Sequence, residues 1–321
     1  MQGNSRGDLP AQTLVALLVT LVALTIIVIR FGTSNADTAE AAYAELRIGF
    51  APDSLEVLGR IDDVLREASG LAVSRQHPGI IWSHNDSGGE ARFFAIDSAG
   101  VVVATFDVSG IEAQDWESMD IGPCPTDPVV TCLFLADTGD NVRRRDILTI
   151  HVVPEPDPRL REGSVEPVGR LRYLYPTESR DAEAVAVSPL GALVIVTKGR
   201  AGNMMLFSIV ADRVREAIVD DEPLRLGPGT RLSIDPDWDV GRVVTGASFR
   251  PDGAQLAVRT LSEIYFYGWP DLDDAAPPCF LGKREPQGEA VGWEDRGSLL
   301  LMSETTGAGP GMLLRVWCGS D

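Results

Sequence analysis

Four glutamates recur at the start of the same short phrase. Glu67 opens E-A-S-G-L-A-V-S, Glu117 opens E-S-M-D-I-G-P, Glu183 opens E-A-V-A-V-S-P and Glu289 opens E-A-V-G-W-E-D-R-G. Thr245 opens a fifth copy, T-G-A-S-F-R-P-D-G. In four copies a turn residue falls six positions after the opener: Pro123, Pro189, Pro251 and Asp295. Glutamate is depleted in strands, so its return at one strand position calls for a chemical reason. Asp115 and Asp181 stand two residues before their openers, on the same strand face. A second aligned set closes the strands that follow: Asn85 and Asp86, then Asp137, Asp140 and Asn141, then Lys198, Arg259 and Glu304.

Carboxylates brought together from several repeats repel one another and hold protons more tightly. A hard cation bound through oxygens relieves that repulsion, and calcium, which takes 6–8 oxygen ligands, suits acids mixed with amides. Lys198 and Arg259 offer a second way to balance the charge. Taken singly, D-S-G, D-T-G-D-N and P-D-G are also ordinary turn sequences, because Asp and Asn bond their own backbone. The repeated glutamate is what turn chemistry does not explain.

A phrase repeated at fixed internal geometry implies repeated supersecondary units. The openers lie 50, 66, 62 and 44 residues apart. That spacing is too irregular for a tight solenoid and suits the blades of a β-propeller with variable loops. The 53 glycines and prolines (32 and 21) punctuate many short strands, an all-β signature. The expected architecture is a propeller of five blades over residues 51–321. Six is the alternative if the stretch from Val214 to Val244 hides another. The last blade shows three strands before the chain ends, and Leu55–Ile61 is a spare strand. Pairing it into that blade would close the ring and remove an exposed edge.

The chain carries a net charge of −19 with acids scattered throughout, which excludes the basic face that nucleic-acid binding needs. Ahead of the propeller, residues 1–10 form a polar tail. Residues 11–29 are uncharged and apolar, long enough as a helix to span about 28 Å of a ~30 Å hydrocarbon core. Residues 30–50 read as a linker. No small-residue cleavage site follows closely, so an uncleaved signal anchor is preferred to a cleaved signal peptide, whose product would be secreted. The large domain is expected outside the cytoplasm, held to the membrane by this segment. Four cysteines beside an export signal fit two disulfides. Of three connectivities, Cys124–Cys132 with Cys279–Cys318 is preferred; four buried thiols are the other reading.

No G-x-S-x-G, H-E-x-x-H or Walker motif occurs. Of the three histidines, His84 ends a strand near the expected channel and is the candidate acid/base. His77 and His151 read as surface or packing residues, and the six tryptophans as inter-blade core.

The motifs E-A-S-G-L-A with H-N-D-S-G, D-W-E-S-M, A-D-T-G-D-N, D-A-E-A-V-A, T-G-A-S-F-R-P-D-G and Q-G-E-A-V resemble bacterial exported β-propellers of the phytase-like esterase kind. The chain is more distantly similar to gluconolactonase and paraoxonase propellers. The resemblance covers about residues 65 to 318. It implies a central calcium held by Glu, Asn and Asp from different blades, for which Glu67, Asn85, Asp137 and Glu289 are the counterparts. Thr245, Lys198 and Arg259 depart from that pattern. Two functions follow as expectations: a propeller that holds a cation or small polar ligand in its channel, or a calcium-dependent hydrolase of lactones, esters or phosphoesters with His84 as base.

Overall fold

The computed structural model describes residues 51–86, 90–199, 204–235, 241–282 and 284–319. The apolar segment 11–29 and the linker 30–50 lie outside the described residues. Among the described residues no helix is long and apolar enough to cross a membrane.

Five antiparallel sheets make five blades. Their innermost strands are Ala68–Val73, Trp116–Pro123, Ala182–Val187, Val244–Phe249 and Gly288–Trp293. Each is buried along nearly its whole length, because neighbouring sheets cover both faces. Strands further out alternate, as Val102–Val108 does with Ala104, Phe106 and Val108 turned inward.

An apolar cluster fills each of the five gaps between blades, including the one that joins the last blade to the first. In the gap between the first two blades, Trp82 meets Phe93 and Phe106 edge-on. Polar ties repeat the arrangement nearer the axis. Ser69 Oγ donates to Glu117 O (2.7 Å), Val185 N donates to Ser118 Oγ (3.1 Å) and Trp293 N donates to Ser248 Oγ (3.1 Å).

The strand Ser54–Arg60 pairs antiparallel with Met312–Trp317 and completes the fifth blade, as the spare N-terminal strand leads one to expect. The first two blades carry a fifth strand, Glu162–Val165 and Leu224–Arg225, each added in parallel at the outer edge. Among the described residues the strands form five sheets, so the stretch from Val214 adds no sixth blade. It carries a ten-residue helix, Ala211–Asp220, whose Val214, Ala217 and Ile218 form its buried stripe. Ile218 lies over Gly169, where a Cβ would collide with it.

Both preferred disulfides are present. Cys124–Cys132 pins the first hairpin of the second blade, and Cys279–Cys318 joins the outer strand of the fourth blade to the end of the fifth. Their sequence separations of 8 and 39 residues correspond to about 2.5 and about 4 kcal/mol in the chain-entropy description.

Candidate metal centre at the channel mouth

The innermost strands share one irregularity. Trp116 pairs with Asp137 and Ser118 with Ala136, so Glu117 has no partner across the ladder. Glu183, Thr245 and Glu289 are skipped in the same way, between Ala182 and Ala184, Val244 and Gly246, and Gly288 and Ala290. Each is the extra residue of a β-bulge. A bulge bends the strand and re-aims one side chain, which is why glutamate sits there at all. In the first blade the shift falls later, between Ser69 and Ala72, where Gly70 takes a φ of +64°. Glu67 lies before that strand and is exposed, with its N–H bonded to Asn85 Oδ1 at 3.1 Å.

Oxygens of Asp86, Asp115 and Glu117 lie within 4.8 Å of one another, and so do those of Glu117, Asp181 and Glu183. Glu117 belongs to both trios. It is 5% exposed, and its carboxylate accepts no hydrogen bond among the described residues. Burial pushes its pKa far up, and the charges of Glu183, Asp86 and Asp115 add to that, against Lys198. Burial raises Asp115 too, helped by Asp86 and Asp181.

Lys198 Nζ bonds Glu183. Burial works to lower the lysine pKa, yet Glu183, Glu117 and Asp181 together hold it above its ordinary value. Asp181 Oδ1 accepts from Asp140 N (2.9 Å), while its Oδ2 is buried with no partner. Thr245 Oγ1, at the fourth bulge, is likewise buried and unpartnered. Gly139 gives the cluster room, because a Cβ there would fall against the Asp115 and Glu117 carboxylates.

On the fifth blade Glu289 Oε1 accepts from Gln287 Nε2 at 2.6 Å, and the same amide bonds Glu304. Burial raises the Glu289 pKa to about 8, with the Gln287 bond opposing and the Glu183 and Glu304 charges reinforcing it.

The other sequence candidates are held in the walls. Asp137 accepts from Gln114 N (3.0 Å) and Asp115 N (3.2 Å) and pairs with Arg145 at 2.7 Å, which fixes the approach to the second bulge. Asp140 accepts from Arg144 N, Arg145 N and Ser179 Oγ, and Asn141 is exposed. Asn85 Nδ2 donates to Val64 O (2.8 Å). Among the described residues the acids whose oxygens converge are Asp86, Asp115, Glu117, Asp181 and Glu183; Glu67, Asp137 and Glu289 belong to neither trio.

Arg259 is fully buried and pairs with Glu285, and its guanidinium fills the space that a side chain at Gly288 would need. His84 is fully buried, its Nδ1 2.8 Å from Asn85 O, and its ring stands edge-on to Trp116. Burial lowers its pKa. Sequence reasoning missed Glu285 and Gln287, which sit in a connecting loop, and the buried Arg242–Glu263 pair.

No protein-family profile and no curated protein sequence matches the chain. Among solved structures, the PQQ-bound aldose sugar dehydrogenase of Streptomyces coelicolor is similar at 12% identity and a TM-score of 0.48, over 83% of this chain and 100% of that one. The calcium-binding protein regucalcin of Agrobacterium tumefaciens is similar at 13% identity and a TM-score of 0.46, over 85% and 97%. The five-bladed architecture stands on the strand pairing itself.

Proposed function

We propose that this protein binds a hard divalent cation, calcium foremost, through the carboxylates at its channel mouth, outside the cytoplasm and behind an N-terminal membrane anchor. The observation that carries the reading is the bulge. Three blades each place a glutamate where the ladder leaves it unpaired, and two buried oxygens beside them, Asp181 Oδ2 and Thr245 Oγ1, lack a protein partner. Buried oxygens left unbonded cost about 1–3 kcal/mol each, and a bound cation removes that cost. The donor set is oxygen only, which favours calcium or magnesium over softer metals.

Charge narrows the ligand. Asp86, Asp115, Glu117, Asp181, Glu183, Glu289 and Glu304 act on one another here, and Lys198 is the only lysine among the described residues, so a single divalent ion leaves the described acids in excess. A polyanionic phosphoester is repelled there; a neutral polyol, lactone or ester is not. A hydrolase of neutral esters or lactones is the second reading, favoured by Glu289, which burial keeps ready to hold a proton at neutral pH. Kinship with phytase-like esterases belongs to that reading and rests on the sequence motifs alone. The sealed His84 is assigned no step in it.

The test is the metal content of the purified chain by mass spectrometry, with melting curves in chelator and in excess calcium. Bound calcium at a hundredfold excess over Kd adds about 2.7 kcal/mol. A melting curve indifferent to both additions sinks the proposal.

A further inference from the structure

A separate recess lies at the other end of the innermost strands from the acidic mouth, in the seam where the last blade meets the first. It measures about 320 Å³. That is the small end of the range for ligand sites, about 300–1,000 Å³. Three stretches of chain build it. The first blade supplies Val73, Ile80 and Ile81, the closing strand supplies Leu58, and the fifth blade supplies Leu300. Ile81 and Leu300 belong to the apolar cluster that fills this gap, and Leu58 and Val73 are only partly covered by it. The recess is therefore the open end of that cluster, walled by aliphatic side chains.

Three charged side chains stand on its rim: Arg75, Glu294 and Arg315. Arg315 is bidentate to Glu294, Nε to Oε2 at 2.6 Å and Nη2 to Oε1 at 2.7 Å, and pairs with Glu56 at 2.9 Å. The Glu294 charge is thus neutralised within the rim. Arg75 has no ion-pair partner among the described residues. Its Nη1 and Nη2 donate to Glu294 O (2.9 Å) and Trp293 O (2.8 Å), two neutral carbonyls of the fifth blade. Asp120 and Asp295 act on it only through space. The carbonyl bonds fix the guanidinium at the rim and leave its charge unmatched. Aliphatic walls with one unmatched arginine at the edge are complementary to a small amphiphile with an anionic head, because a guanidinium binds carboxylates by charge-assisted hydrogen bonds. A neutral apolar ligand forgoes those bonds, and a cation is repelled.

The geometry points to a binding site for a small amphiphilic anion, an acyl or aryl carboxylate, whose tail lies among Leu58, Val73, Ile80 and Leu300 and whose carboxylate meets Arg75. The site is independent of the acidic mouth and stands whether or not the mouth binds a cation. Its walls come from both sides of the seam, so a bound ligand also ties the closing strand and the fifth blade to the first.

Hexanoate serves as the probe, with 1-hexanol and hexylammonium as neutral and cationic counterparts of the same length. The full chain, labelled at the isoleucine δ1 methyls, is titrated in a nonionic detergent and followed by NMR. Ile80→Val and Ile81→Val assign the two signals that report on the recess. Hexanoate should move both signals saturably, and the two counterparts should bind about tenfold more weakly or less, the worth of one charge-assisted hydrogen bond. Arg75→Gln should weaken hexanoate by a similar factor, and Arg75→Lys, which keeps the charge, should weaken it less. Ile80→Trp fills the recess and should abolish the shift at Ile81; Leu58→Trp is read the same way should Ile80→Trp fail to fold. Circular dichroism confirms each fold. A wild type with no saturable shift would overturn the site. Equal affinity for hexanoate and 1-hexanol would overturn the anionic head, and that comparison needs no variant. Equal hexanoate affinity in the wild type and a folded Arg75→Gln chain would remove Arg75 from the site. An undiminished Ile81 shift in a folded Ile80→Trp or Leu58→Trp chain would overturn its location.

Discussion

Arg259 is a charge with no access to water. Its guanidinium is 0% exposed, bonds Glu285, and donates to Ala290 O (2.6 Å) and Met302 O (3.3 Å) across the gap between the fourth and fifth blades. A pair of this kind adds little net stability over apolar residues of the same shape, yet breaking it leaves a bare buried charge. Glu285→Leu should therefore cost about 3–5 kcal/mol, whereas Arg259→Met combined with Glu285→Leu should come back to within about 2 kcal/mol of the wild type. Urea denaturation of the three proteins measures both values. Equal losses in the single and double variants would show that the cost lies in packing and not in the stranded charge. Gly288→Ala probes the same contact from the backbone side and should also destabilise, because no room for a Cβ exists there.

The elements themselves were largely legible. Each blade begins with the same hairpin, and the same burial on both faces selects the same residues, so the phrase from Glu117 to Pro123 returns at Glu183, Thr245 and Glu289. The closing strand was legible because a three-stranded last blade left an edge that Ser54–Arg60 covers. The bulge was not. A two-against-one register leaves no mark on the alternation of apolar residues, so Glu67 reads like the other openers although it stands outside its strand and Asp86 supplies the acid on that side. The helix Ala211–Asp220 was hidden in a long inter-blade stretch with no cap residue to announce it. One consequence of the closure is testable at this scale. A chain beginning at Ile61 loses the strand that pairs with Met312–Trp317 and uncovers Leu313, Leu314 and Val316. It should lose about 3 kcal/mol or more and associate through the freed edge, seen as a lower melting temperature and a larger species in sedimentation. A monomer that melts with the full chain would mean that the fifth blade stands without its fourth strand.

At the scale of the whole molecule, stability depends on keeping the ring of blades closed, and one titrating group takes part in that closure away from the acidic mouth. Asp120 lies on the innermost strand of the second blade, accepts from Ile121 N at 2.8 Å, and reaches the third blade by accepting from Val187 N at 2.7 Å. Burial raises its pKa to about 7, although the two amide bonds and the charge of Arg75 pull the other way. The unfolded value is near 3.9, so between about pH 4 and pH 7 the folded protein binds a proton that the unfolded chain has released. Stability from this group is full below pH 4 and falls as pH rises through 7, by on the order of 4 kcal/mol for a shift of about three units. Asp120→Asn removes the titration and keeps one acceptor for Ile121 N. Its amide then opposes Val187 N–H, a pH-independent penalty of about 1–3 kcal/mol. Unfolding free energies of both proteins, measured by urea from pH 4.5 to 8 in chelator so that no bound metal contributes, should converge as pH rises. The variant is the weaker at pH 4.5, and its deficit should shrink or reverse by pH 8. A difference between the two proteins that stays constant over the whole range would place Asp120 among ordinary ionised carboxylates and remove it from the acid–base behaviour of the ring.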